Sequence, residues 1–134
     1  MNNTKKSNLM ESVTTDKAPA AVGPYSQAMK TGNTLYCSGQ IGLVPETGKL
    51  AGEDIRSQTR QMLQNLAVIL EAAAFHPDDI VKTTVFLTDI NDFTVFNNMY
   101  AEFFSPHKPA RSTVQVAALP LGARVEIECI AVKE

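Results

Sequence analysis

Residues 52–74 constrain the fold more than any other stretch of the chain. Ile55, Thr59, Met62, Leu66, Ile69 and Ala73 recur at spacings of three and four, while Arg56, Arg60, Gln64 and Glu71 fall on other faces. The spacing predicts an amphipathic helix from Gly52 to Ala74. His76 suits its negative end, and Pro77 forbids its continuation. A helix with a single apolar stripe must lay that stripe on a second layer. The next residues supply one. Ile80 to Thr88 (IVKTTVFLT) is rich in β-branched residues and alternates, with Val81, Thr83, Val85 and Leu87 on one face.

The remaining segments complete the layer. Ser26 to Ser38 reads as two short strands around Thr31-Gly32-Asn33, a turn where glycine and asparagine supply positive φ. Pro45 and Gly48 punctuate the loop that follows. Asp89 or Asn91 caps a second helix whose stripe is Phe93, Phe96, Tyr100, Phe103 and Phe104, ended by Pro106 and Pro109. Residues 111–118 form a strand with Val114 and Val116 on one side and Arg111, Thr113 and Gln115 on the other. Leu119 to Gly122 is a connection. Residues 123–133 form the last strand, with Val125, Ile127 and Cys129 on one face and Arg124, Glu126 and Glu128 opposite. Strands, helix, strand, helix, strands is an α+β order. Two helices cover one face of the sheet, so either Ile80 and Phe86 or the Val81 set is left on the other. A bare apolar sheet face is uncommon on a monomer, and an oligomer that buries it is expected.

Length and composition bound the rest. A chain of 134 residues, 44% of them hydrophobic and 19% charged, is one domain with a real core. Residues 1–9 (MNNTKKSNL) read as a flexible N-terminal tail and residues 10–134 as the single domain. Twelve basic residues against fourteen acidic ones leave no basic surplus, which argues against a nucleic-acid partner. A small anionic ligand needs only one well-placed cation. Cys37 and Cys129 are too few for a disulfide framework and lack zinc-site spacing, so they read as small buried apolar residues. The first dozen residues hold no export-signal run, and no stretch nears the roughly 20 apolar residues of a membrane span. A soluble cytoplasmic protein with free thiols is expected.

Candidate chemistry is sparse. P-loop, GxGxxG, HExxH, CxxC and GxSxG patterns are all missing from the sequence. His76 and His107 lie at a helix end and in a proline-flanked loop, places where exposed polar residues are common. Arg111 begins a strand straight after Pro109-Ala110, fixed by backbone, where a guanidinium can grip a carboxylate with two parallel hydrogen bonds. An ordinary surface or interface salt bridge is the plainer alternative, and the residue alone favours it. Glu126 and Glu128 share a strand face about 7 Å apart. A carboxylate beside an apolar strand can hold a raised pKa and act as a general base, or simply face solvent. Tyr25 follows the rigid Gly23-Pro24 pair. Ser38-Gly39-Gln40 follows an apolar strand, where glycine admits a ligand close to the backbone and the serine hydroxyl can donate, or where the three residues merely turn the chain.

Five colinear segments together resemble the Rid proteins, once called YjgF or L-PSP proteins, and their RidA branch in particular. They are Ala18 to Gln27 (APAAVGPYSQ), Ser38 to Ile41 (SGQI), Asp79 to Phe86 (DIVKTTVF), Pro109 to Val116 (PARSTVQV) and Val125 to Glu128 (VEIE). The resemblance implies a chorismate-mutase-like fold assembled as a homotrimer, with clefts between adjacent subunits. It implies hydrolysis of 2-imino acids or their enamine tautomers (2-aminoacrylate, 2-iminopropanoate, 2-iminobutanoate) to 2-keto acids and ammonia, with no metal or cofactor. Carried over, Arg111 holds the substrate carboxylate and Glu126 positions or activates the attacking water. Tyr25, Ser38 and Gly39 line the cleft, and Thr113 stands where many relatives carry cysteine. The chain departs from the family pattern at Ala74, where many relatives have glycine, in a short Ser105–Lys108 loop and in a longer N-terminal tail. Two other functions stay open beside this one: a trimer that binds small acids or acts as a chaperone, and a ribonuclease or translation inhibitor.

Overall fold

In the computed structural model, which describes residues 10–134, alternating segments become strands β1 (Met10–Val13), β2 (Ala28–Thr31), β3 (Thr34–Gln40), β6 (Ile80–Leu87), β7 (Ala110–Gln115) and β8 (Val125–Val132). They form one sheet in the order β1-β2-β3-β8-β6-β7, and β4 (Leu43–Val44) with β5 (Lys49–Leu50) makes a separate two-stranded ribbon. The tail expected at residues 1–9 lies outside the described residues. Neighbouring strands are antiparallel except β6 and β7. A parallel pair needs a crossover, and helix α2 (Phe93–Phe104) provides it. Helix α1 (Ile55–Ala72) lies beside α2 on the same face. This is the α+β arrangement expected. No helix among the described residues is long and apolar enough to cross a membrane.

The core lies between the helices and the sheet. Met62, Leu66, Ile69 and Leu70 of α1 meet Leu35, Val85, Leu87, Val125 and Ile127 of the strands, all buried. Helix α1 starts where Asp54 accepts a 2.9 Å hydrogen bond from the Ser57 amide, three residues later than the periodicity implied. It ends as Ala74 swings to φ 64°, which lets the Phe75 amide donate to the Leu70 carbonyl and the Ala74 amide to that of Glu71. His76 does not serve the end of α1; its Nδ1 accepts from the Asp78 amide and caps the following 3-10 turn. Asp89 likewise accepts from the Asn91 amide and opens the 3-10 turn that leads into α2.

Four sequence expectations need correction. Ile80 pairs with Ala131 and Lys82 with Ile130, so Val81 is the extra residue of a β-bulge. It turns outward while Ile80 enters the core, and only Thr83, Val85 and Leu87 of the expected face remain on it. Arg124 precedes β8 and leaves the Glu126 face: its Nε donates to the Glu53 carbonyl and its Nη1 pairs with Asp92 at 3.2 Å. In the β2–β3 turn only Gly32 takes positive φ, while the Asn33 side chain donates to the Lys133 carbonyl. Strand β7 stops at Gln115, short of residue 118. The four-residue β1, mostly exposed, carries too little apolar alternation to be seen in sequence. The face of the sheet away from the helices bears Tyr36, Phe86, Val114 and Ile130, with Tyr36 49% exposed.

Ala74 sits in a conformation that disfavours residues with a Cβ by about 1–2 kcal/mol, and glycine returns about 0.5–1 kcal/mol of that through its freer unfolded chain. Ala74→Gly is therefore expected to stabilise the fold by about 0.5–1 kcal/mol. Urea denaturation checks this: the midpoint rises with an unchanged slope.

Candidate active site

The β6–β7 register pairs Arg111 with Thr83, which puts the arginine on the helix-covered face at the free edge of the sheet. There it meets the aromatic stripe of α2. Its Cζ lies 4.7 Å from the Tyr100 ring centre, 5.4 Å from Phe93 and 6.0 Å from Phe96. Such contacts hold a guanidinium without neutralising it. Its Nη1 donates to Asn97 Oδ1 at 2.8 Å. The Tyr100 hydroxyl shares a buried 2.7 Å hydrogen bond with Thr83 Oγ1, and burial raises the phenol above its ordinary pKa, so the ring is a neutral platform. Among the described residues no carboxylate of the same chain pairs with Arg111, so of the salt bridges that sequence alone favoured one within the chain is not formed. The arginine borders a cavity of about 470 Å³ whose lining carries no acid and includes Asn97, Tyr100, His107 and Lys108. His107 is committed elsewhere: its Nε2 donates to the Ile80 carbonyl at 2.6 Å. Thr113, next but one along β7, shares this face, and its buried hydroxyl has no hydrogen-bond partner among the described residues.

Glu126 lies on the other face. Val125 and Ile127 on either side of it are buried under the helices, so alternation turns the glutamate toward the open side. Cys37 pairs with Cys129 but Gln40 with Ile127, so Ser38 and Gly39 bulge out of β3 at this point. The bulge and the glycine make room for the acid. A Cβ on residue 39 would overlap the Glu126 carboxylate, which therefore rests on bare backbone. Burial, and then repulsion from Glu128, raise the Glu126 carboxyl above its usual range.

Tyr25 and Leu121 join Gly39 and Glu126 around a cavity of about 420 Å³. Two buried amides hold its walls. Gln27 accepts from the Thr15 amide and donates to the Thr15 and Pro19 carbonyls. Asn65 of α1 donates to the carbonyls of Ile41 and Leu43. Ser38 spends its proton on the Ser26 carbonyl at 2.6 Å, so it offers a ligand lone pairs and no donor.

The expected site residues thus fall into two groups. Arg111 and Thr113 stand on one face, and Tyr25, Gly39 and Glu126 line a cavity on the other; the two cavities share no residue. Sequence reasoning missed Asn97 and Asn65. Asn97 had a signal, because it is a polar residue four positions after Phe93 and three before Tyr100, inside an apolar stripe. Asn65 had the same signal, three positions after Met62 and four before Ile69, but the carbonyls it donates to lie more than twenty residues away and only Gln61, which donates to its Oδ1 at 2.9 Å, is local.

Comparison with known proteins extends this picture. The model of the family described as Endoribonuclease L-PSP matches residues 15–133. Reactive Intermediate Deaminase A, chloroplastic, of Arabidopsis thaliana is 54% identical over 121 residues, covering 90% of this chain and 65% of the plant protein, so the chain spans just under two thirds of that relative. The 2-iminobutanoate/2-iminopropanoate deaminase of Mus musculus is 50% identical over 121 residues, 90% of each chain. The crystal structure of E. coli TdcF with bound serine aligns with a TM-score of 0.88 at 43% identity, over 92% of this chain and 99% of that one. A family match along nearly the whole chain, relatives half identical to it and the same sheet under the same two helices place this protein in the Endoribonuclease L-PSP family, the Rid proteins.

Proposed function

We propose that this chain, acting through residues 10–134 as one domain, hydrolyses small 2-imino acids and their enamine tautomers to 2-keto acids and ammonia. The substrates are of the size of 2-aminoacrylate, 2-iminopropanoate and 2-iminobutanoate, and the sites form between adjacent copies of a homotrimer. The observation that carries this reading is Arg111, an arginine without an acid partner, held on three aromatic rings at the edge of an acid-free cavity. The half-identical deaminases and the serine bound to the similar TdcF support a small amino-acid-derived carboxylate as its ligand.

The chemistry follows from the two groups of residues. The free edge of Arg111 takes the substrate carboxylate, a charge-assisted contact worth roughly 1.5–3 kcal/mol. The imine carbon is already electrophilic. Glu126, with a raised proton affinity, takes a proton from water as its oxygen bonds to C2, and general-base help of this kind is worth about 10²–10⁴-fold. The carbinolamine nitrogen then receives a proton from Glu126, with the Tyr25 phenol in the same cavity able to relay it. Starting from the imine protonated on nitrogen, the C–N bond then breaks as the carbinolamine hydroxyl gives its proton to the Glu126 carboxylate and its oxygen forms the C=O bond; ammonia leaves and the keto acid remains. Arg111 and Glu126 face opposite sides of one sheet, so one copy does not bring them together. The apolar open face with Tyr36, Phe86, Val114 and Ile130 offers a neighbouring copy a surface to pack on, and in the proposed trimer the neighbour's β7 edge meets the Glu126 cavity. A ribonuclease has less to work with: His107 is tied to the Ile80 carbonyl and His76 lies exposed beyond α1.

Arg111→Ala and Arg111→Lys are both expected to lose most release of ammonia from freshly generated 2-iminobutanoate while keeping the fold, and wild-type turnover in either would remove the carboxylate anchor. Glu126→Gln is expected to bind keto acid but turn over slowly. Mixing unfolded Arg111→Ala and Glu126→Gln chains and refolding them together should restore about a quarter of wild-type activity, the share of sites receiving both intact residues from different copies. No recovery would mean that both residues serve from one chain.

The raised Glu126 carboxyl has opposite effects on rate and on stability. Turnover needs the carboxylate, so kcat rises as pH climbs through the raised pKa. The fold favours the protonated form, so the stability Glu126 contributes is full below the unfolded carboxylate range and is lost as pH rises through the folded pKa. Glu126→Gln should therefore gain stability over the wild type as pH rises toward neutral, measured by urea midpoints across that range. Gly39→Ala should displace the carboxylate and lower kcat with little change in fold, checked by circular dichroism beside the ammonia assay.

A further inference from the structure

Cys37 and Cys129 take no part in the proposed reaction, yet they are directly opposed partners on the antiparallel strands β3 and β8. Both are free thiols, 6% and 4% exposed, on the helix-covered side of the sheet. Opposed residues of antiparallel strands have Cα atoms about 4.5–5.5 Å apart, inside the span of about 4.4–6.8 Å that a disulfide bridges. The strand pairing thus meets the Cα span that a cross-strand disulfide requires.

The position of the pair matters as much as its spacing. One row of paired residues crosses the sheet through Cys37, Cys129, Thr83 and Arg111. Thr83 in turn holds the hydroxyl of Tyr100, the ring nearest the Arg111 guanidinium. On its other side Cys37 is followed immediately by the Ser38-Gly39 bulge on which the Glu126 carboxylate rests. A change of a fraction of an ångström between β3 and β8 at this point reaches both halves of the site.

We propose that Cys37 and Cys129 form a redox-active pair that hydrogen peroxide closes into an intramolecular cross-strand disulfide, and that closure lowers the activity of the site. The effect on activity rests on the deaminase function proposed above; the disulfide does not. The step balances as follows. One sulfur, as thiolate, attacks a peroxide oxygen, the O–O bond breaks and a sulfenic acid forms with release of water. The second sulfur then attacks the sulfenic sulfur, the S–O bond breaks, a second water leaves and the S–S bond forms. The two sulfurs together give up two electrons and two protons, and one peroxide becomes two waters. The adjacent Cys37 thiol, together with burial, holds Cys129 well above the ordinary thiol range, so the thiolate is scarce and closure is slow. Peroxide, small and uncharged, suits so enclosed a target.

The test uses the reduced, full-length protein with hydrogen peroxide under native conditions, followed by intact mass, thiol titration in denaturant and ammonia release from 2-iminobutanoate. The pair is expected to lose both thiols together, with the mass falling by two hydrogens, no oxygen retained and no link between chains. Turnover should fall by about tenfold, as a misplacement of catalytic groups by a fraction of an ångström to an ångström allows, and return on adding dithiothreitol. Cys37→Ala and Cys129→Ala, which leave every site residue in place, should keep their starting turnover through the same treatment. Thiols that stay titratable, that gain oxygen instead of joining, or that join different chains would overturn the pair. A disulfide that forms without changing turnover would overturn the coupling to the site. A reduced protein that never releases ammonia would refute the deaminase function alone, because mass and thiol titration still report on the pair.

Discussion

The arrangement depends on a cation that the protein holds without cancelling its charge. Arg111 is gripped by Asn97 and stacked among Phe93, Phe96 and Tyr100, none of which carries a formal charge. A carboxylate partner would have fixed the side chain as firmly but would have filled the edge that the proposed function gives to a ligand. Aromatic faces supply attraction through their quadrupoles and leave that edge free. The same choice explains the composition of α2. Its stripe of phenylalanines and tyrosine serves the core on one side and the guanidinium on the other, so packing and site geometry cannot be altered separately.

The glutamate is treated in the opposite way. Where Arg111 is supported by bulky side chains, Glu126 is given space by the removal of one, since any Cβ at residue 39 would overlap it. The bulge at Ser38-Gly39 bends β3 at the site of this contact, and the buried amides of Gln27 and Asn65 fix the loops around it. These polar groups are costly to bury unless every bond is made, and both amides make more than one. The result is a rigid wall beside an acid whose charge is disfavoured. In the reaction proposed above, that rigidity is what would hold Glu126 in place as a proton acceptor.

Much of this was legible in the sequence, and the parts that were not have a common cause. The α1 stripe, the β2–β3 turn, the aromatic stripe of α2 and the alternation of β8 are local patterns, and each was found within a few residues of its observed place. The face of Arg111 and Thr113 followed from alternation alone. Errors came where a partner far along the chain decides the outcome. Val81 leaves its expected face because β8 opposes two residues of β6 with one. Arg124 leaves the Glu126 face because Glu53 and Asp92 lie within its reach. For the hydroxyl of Ser38 the sequence left a ligand donor and a plain turn both open, because the carbonyl that takes its proton, Ser26, belongs to the segment leading into the adjacent strand. Alternation also placed Arg111 and Glu126 on definite faces of their own strands but not relative to each other. That relation depends on strand order, which a single sequence does not state.

Strand order also governs how the two charges influence one another. Within one copy the sheet lies between Arg111 and Glu126, and Glu126 is left with burial and Glu128, both of which favour its neutral form. The arginine on the far face does not offset them. For the reaction proposed above this separation is what makes the acid useful, because a carboxylate whose neutral form is favoured takes a proton from water more readily than one stabilised by a cation.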